Sequence, residues 1–196
     1  MATLSEPPVP RGRTSVSDGY IEVTRENEDT LVSPHFSLKQ FVCEQGGTYP
    51  KYLRLEETLL LKLEHIVDRL KERGQAGDTI RILSGYRTPA YNRSLGNVRD
   101  SRHTMGDAAD IYVDASPVDG RMDDLNGNGT SDIGDAFVLR DLVEELERKP
   151  PEGYRIGGVG TYAANAAHGP FAHVDARGTP ARWGVGSKTK SQRQKK

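Results

Sequence analysis

SRHTMGDAADIYV (residues 101–113) places one of the chain's five histidines, His103, seven residues ahead of Asp110. Asp110 opens an otherwise apolar run that reads as a strand, where a carboxylate is costly unless it is paired or bound to a metal. Gly106, Ala108 and Ala109 lie between the two, small enough for a tight turn and for close approach of backbone to an ion. Such a gap suits one ligand before a turn and a second on the strand that follows. Catalytic zinc usually takes three side chains from His, Asp or Glu and leaves one position for water. The third must come from another strand. His173 in FAHVD (171–175) qualifies, because in a strand Phe171 and His173 share one face and Ala172 and Val174 the other. By spacing alone, two histidines and one aspartate suit satisfied polar groups of a core equally well.

Outward from this stretch the elements alternate without βαβ regularity. LRLEETLLLKLEHIVDRLKERG (53–74) is an amphipathic helix, with Leu59, Leu63, Ile66, Val67 and Leu70 on one stripe and Gly74 as its C-terminal stop. His65 lies on its polar side. DTIRILSGYRTP (78–89) begins as a strand with Ile80 and Ile82 on one face, then turns at Gly85 and Pro89. AADIYVD (108–114) is a second strand. VLRDLVEELER (138–148) is a second helix, with Leu139, Leu142, Val143 and Leu146 facing inward. GGVGTY (157–162) and FAHVDARG (171–178) read as two more strands. This mixed order indicates an α+β domain.

The 196 residues fit one domain with tails or with an insertion, and can bury a core without disulfides. Hydrophobic content is 35% and mean hydropathy −0.66, a polar chain of which some is expected to stay unpacked. A formal net charge of −1 gives no sign of a nucleic-acid or membrane partner. No apolar run approaches the roughly 18 residues of a membrane span. Cys43 is single, so it closes no internal disulfide and reads as a small buried hydrophobe. Residues 1–33 are expected to be disordered or loosely ordered, with room for one short strand in SDGYIEVTREN (17–27), and show no apolar core of a secretory signal. Residues 185–196 read as a basic, disordered tail.

SGYRTPAYNRSLG (84–96), SRHTMGDAADIYV and FAHVDARG together resemble, in order, the signatures of the zinc D-alanyl-D-alanine carboxypeptidase family. That family includes peptidoglycan endopeptidases, dipeptidases and phage endolysins, and shares its fold with the hedgehog signalling domain. The pattern Ser-x-His-x-x-Gly-x-Ala-x-Asp is met at Ser101, His103, Gly106, Ala108 and Asp110, and the late histidine at His173. The resemblance covers about residues 35–183. It implies a central, mostly antiparallel sheet flanked by helices, a peptidase domain over 34–184, and zinc held by His103, Asp110 and His173. The implied substrate is peptidoglycan or its peptides, cut by a monomer in a periplasmic or extracellular setting.

The resemblance also implies roles for neighbours. Arg87 lines the site in relatives, where a guanidinium can stabilise an oxyanion or grip a substrate carboxylate; an ordinary ion pair beside the turn is the plain alternative. Ser101 is implied to hold substrate, or else caps its local turn. In relatives a Glu, Asp or His stands three residues before the final histidine; here that position is Pro170, which cannot act as a base. His168 is the nearest candidate, since imidazole exchanges protons near neutral pH. Asp175, on the face of His173, is a candidate to orient a ligand histidine. The departure at Pro170 keeps a second reading open, a zinc-containing binding module without catalysis.

DDLNGNGTSDIGD (123–135) carries a separate pattern. Oxygen-bearing residues fall at positions one, three, five, seven, nine and twelve of a calcium loop: Asp124, Asn126, Asn128, Thr130 (through its carbonyl), Asp132 and Asp135, with Gly129 at the sharp turn. Aspartate at the last position resembles the dockerin version of the loop. The expectation is a structural calcium site in an insertion over 123–147; the alternative is a Gly/Asn/Asp-rich surface turn without an ion.

Overall fold

The structure, a computed structural model, describes residues 3–4 and 19–186. A small antiparallel sheet joins β1 (Thr3–Leu4), β2 (Tyr20–Val23) and β3 (Lys51–Leu53). A larger one is built from β4 (Ile80–Ser84), β5 (Ala108–Val113), β6 (Gly158–Tyr162), β7 (Phe171–Asp175) and β8 (Ala181–Gly184), in the spatial order β4-β5-β7-β6-β8. Its neighbours pair antiparallel except β6 and β8, which run parallel. Among the described residues four α-helices accompany the sheets: α1 (Leu38–Phe41), α2 (Glu57–Glu72), α3 (Pro89–Ser94) and α4 (Ile133–Arg148). The chain is α+β with a mostly antiparallel sheet and flanking helices.

The apolar stripe of α2 becomes core as its spacing requires: Leu59, Leu63, Ile66, Val67 and Leu70 are all buried. Each contributes about 1.5–3 kcal/mol of transfer free energy. The helix starts at Glu57 rather than Leu53, because Leu53 pairs with Ile21 in the small sheet. Gly74 closes the turn beyond its C-terminus at φ 73°. Leu139, Leu142, Val143 and Leu146 of α4 are buried, and α4 packs on β6 and β7 and against α2.

One position on the α2 stripe breaks the apolar pattern. Lys62 is fully buried. Its ammonium donates to the Asp175 carbonyl at 2.8 Å and to Glu147 Oε1 at 3.3 Å, and lies 4.8 Å from the centre of the Tyr154 ring. Burial pushes its pKa below the usual lysine value, against the pull of Glu147. Glu147 also accepts from Gly157 N and from Arg182, so one carboxylate joins α4 to α2, β8 and the entry to β6.

Strand alternation divides the large sheet into two faces. Ala109, Ile111 and Val113 of β5, Val159 of β6, and Ala172 and Val174 of β7 belong to the core under the helices. Asp110 and His173 lie on the other face, directly opposite each other in the β5–β7 register. Residues 19–33 pack more closely than the polar composition suggests: Val23 is fully buried and Tyr20 sets its ring edge-on to Tyr86. Cys43 is a buried free thiol. The expectations for residues 1–2, 5–18 and 187–196 lie outside the described residues.

Candidate metal centre

His103 sits in a 3₁₀ turn (Arg102–Met105) that ends at Gly106 in the left-handed region, φ 78°. A Cβ at Gly106 would lie 2.4 Å from the Arg54 carbonyl oxygen, and Glu56 N donates to the Gly106 carbonyl at 2.9 Å. Glycine is therefore required where the turn presses on the chain leading from β3 into α2. Arg87 N donates to the His103 carbonyl at 3.2 Å, which ties the turn after β4 to the same place.

Three donor atoms from these elements meet at one point. His103 Nε2 is 3.1 Å from His173 Nδ1 and 3.3 Å from Asp110 Oδ1, and His173 Nδ1 is 2.9 Å from Asp110 Oδ1. Among the described residues this is the group of three that could hold a metal ion, and all three members are buried. The remaining atoms are engaged elsewhere. His103 Nδ1 donates to the Gly85 carbonyl at 2.7 Å, so Nε2 presents a lone pair to the centre. His173 Nε2 faces Asp175 Oδ2 at 3.3 Å, which aims Nδ1 at the same centre. Two imidazole lone pairs and a carboxylate oxygen converging in a buried site require a cation or a proton between them. The donor set and its outer supports fit zinc.

The electrostatics follow from this crowding. Burial alone would raise the Asp110 carboxyl, but the facing His103 and His173 hold it well below the ordinary carboxylate range. Burial depresses His103. Burial acts on His173 in the same sense, but hydrogen bonds to Asp110 and Asp175 outweigh it, and the net shift is upward. Asp175, fully buried, is held low despite its desolvation by His173 and Arg177. It accepts from Arg177 Nε on both oxygens at 2.8 and 3.0 Å and from Gly158 N at 2.9 Å.

The three donors floor an open groove also lined by Arg87, Ser101 and His168. Arg87 donates from Nη2 to Asp110 Oδ2 and from Nε to Ser84 Oγ at 2.9 Å, so it grips the carboxylate of the donor set from outside. Ser101 precedes the 3₁₀ turn, but its hydroxyl makes no capping hydrogen bond there. His168 reaches the groove from the loop between β6 and β7, edge-on to Phe171. Its ring nitrogens are both engaged, Nδ1 with the Gly169 carbonyl at 2.7 Å and Nε2 with the Asn165 amide at 2.8 Å. Sequence reasoning missed Arg177 and Trp183, whose ring lies 5.0 Å from that of His173 and donates Nε1 to Tyr162 Oη at 2.8 Å. An arginine two residues past Asp175 and the chain's single tryptophan were the available signals.

The acidic loop looks different. Asp124 accepts from the N–H groups of Gly127, Asn128 and Gly129; Asn126 from that of Asn128; Asn128 from that of Thr130; and Asp132 from that of Gly134. Asp135 is buried and accepts from Leu125, Asn126 and Asp132, closing a capping box at the start of α4. The carboxylates of Asp124, Asp132 and Asp135 do not come together as a group of three metal-binding atoms. The expected calcium site is thus given no support by a cluster of acidic groups, and the loop is held by hydrogen bonds from its own backbone amides.

A family-wide sequence profile described as peptidase M15 matches residues 34–134, just over half of the chain. The chain belongs to the peptidase M15 family. This is the zinc D-Ala-D-Ala carboxypeptidase type that the motifs resemble. The matched span carries His103 and Asp110 and ends before β7, so the partnership of His173 rests on the geometry. No curated protein and no solved structure shows a significant match. Among the described residues no helix is long and apolar enough to cross a membrane.

Proposed function

We propose that the chain is a zinc peptidase that hydrolyses peptide bonds of peptidoglycan stem peptides, of the D-Ala-D-Ala carboxypeptidase or endopeptidase type. The supporting observation is the convergence of His103 Nε2, His173 Nδ1 and Asp110 Oδ1 at the floor of an open groove. Zinc in such a site polarises a scissile carbonyl and lowers the pKa of a bound water. The chain's own residues do the rest. His103, His173 and Asp110 hold the ion, with the Gly85 carbonyl and Asp175 fixing the two imidazoles and Arg87 fixing the carboxylate. Arg87 Nη1, with no partner among the described residues, stabilises the developing oxyanion. Ser101 positions the peptide. His168 exchanges its Asn165 contact for the attacking water, takes its proton, and passes that proton to the amine that leaves as the C–N bond breaks. A substrate of this kind places the enzyme, acting as a monomer, in the periplasm or outside the cell.

Pro170 and the two engaged nitrogens of His168 favour one rival, a zinc-holding wall-binding module without turnover. Incubating the zinc-loaded protein with muropeptides and reading products by mass spectrometry decides between them. Released D-Ala or split cross-links are expected. Intact muropeptides with zinc fully bound would overturn the peptidase reading in favour of the rival. In a His168→Ala variant the rate is expected to fall by about 10²–10⁴-fold with zinc retained.

A further inference from the structure

Four arginines line the groove: Arg87, Arg102, Arg155 and Arg177. Three of them are held by buried aspartates. Arg87 is paired with Asp110, Arg102 with Asp107 and Arg177 with Asp175. Each of those guanidiniums shapes the site, and its charge is largely neutralised within the fold. Arg155 is the exception. It is exposed, and no carboxylate or carbonyl among the described residues engages it.

Its placement is nevertheless defined. Gly178 N donates to the Ile156 carbonyl at 2.9 Å, joining the segment before β6 to the segment after β7. Gly178 has φ 88°, and a Cβ there would lie 3.0 Å from Arg155 Nη2 and 3.2 Å from Nε. The guanidinium therefore lies against a residue that has no side chain to displace it. Arg177, the neighbour of Gly178, holds Asp175, which in turn faces His173. Arg155 thus stands on the β6–β8 side of the groove. The exposed acids that also line it, Glu44 and Asp100, come from the segments after α1 and α3.

We infer that Arg155 is a specificity-determining residue that binds a carboxylate of the peptide lying in the groove, so that the substrate is an anionic peptide whose carboxylate points towards β8. A planar guanidinium with its donors uncommitted matches a carboxylate through paired hydrogen bonds. The carboxylate has two possible sources in a stem peptide, the chain terminus and the free carboxylate of an acidic residue within it. The inference takes the peptide substrate from the function proposed above, but binding tests it without turnover.

Trp183 lines the groove and is the chain's single tryptophan, so its fluorescence reports peptide binding directly. Three peptides distinguish the sources: a stem peptide with its carboxylates free, the same peptide amidated at its C-terminus, and the same peptide amidated at its internal acidic residue. Arg155→Ala is expected to weaken binding of the free peptide by about ten- to a hundredfold, the range of a hydrogen bond to a charged group. Arg155→Lys should recover part of that loss. One amide should bind the unmodified protein as weakly as the free peptide binds Arg155→Ala, and should be indifferent to the substitution; it names the source. Equal weakening of all three peptides by Arg155→Ala, or of none, would overturn the inference. Carboxylate-dependent binding without any cleavage would leave it standing while the peptidase reading falls.

Discussion

Asp110 and Asp135 are both buried aspartates in stretches whose spacing suits a metal. Asp110 meets His103 and His173, residues 7 and 63 positions away, across a β-sheet register. Asp135 meets three backbone N–H groups from its own loop. The difference lies in what fills the acceptors. Donors brought together by a sheet arrive with no spare N–H groups among them, because strand amides are occupied by the ladder. A glycine-rich loop of oxygen-bearing residues is surrounded by uncommitted backbone amides and folds onto them as Asx turns and a capping box. The long-range convergence presents two imidazole nitrogens and a carboxylate oxygen to a cation, whereas the local one ties the loop to the start of α4.

The comparison breaks most visibly at the ligands. His103→Ala and His173→Ala are each expected to abolish stoichiometric zinc measured by elemental analysis, while Asp135→Ala leaves it unchanged; zinc retained without either histidine would remove the centre from the sheet. Asp175→Asn should lower zinc affinity by about 10–100-fold, the usual effect of disturbing a ligand's outer partner, measurable by competition with a chelator. Asp135→Ala should cost about 1–3 kcal/mol of folding free energy, read by chemical denaturation, because three backbone donors lose their acceptor. Acid adds a related test. Asp110 and Asp175 titrate below the ordinary aspartate value of about 3.9 in the folded chain, so their contribution is complete above about pH 4 and is lost as pH falls below it. In the metal-free protein Asp175→Asn should therefore flatten the fall of melting temperature on the acid side. The smallest effect is expected from calcium, which should leave the melting temperature of the metal-free protein nearly unchanged where zinc raises it. A rise with calcium would assign an ion to the loop.

Periodicity made the long elements legible. The stripes of α2 and α4 and the apolar runs of β4–β7 stand in the sequence, as do the three donors once the motifs are taken together. What stayed hidden depended on partners distant along the chain or on elements too short to carry a period. β3, β8, α1 and α3 have three to six residues each, less than two helical turns or a full alternation. The grip of Arg87 on Asp110 depends on the β4–β5 register, which no local pattern encodes. The calcium pattern is the opposite case: it is wholly local, and because the same oxygens serve an ion and their own amides, the pattern does not choose between them.

Lys62 lies within the span shared with the family, while its acceptors Glu147 and Asp175 lie beyond residue 134. During synthesis, then, the first two-thirds of the polypeptide carries an ammonium that has nowhere to settle until the final third has emerged. A fragment cut at residue 134 would leave that amine without either acceptor. His173, the third donor, comes from that same final third, so one late segment completes both the buried ammonium's contacts and the metal centre.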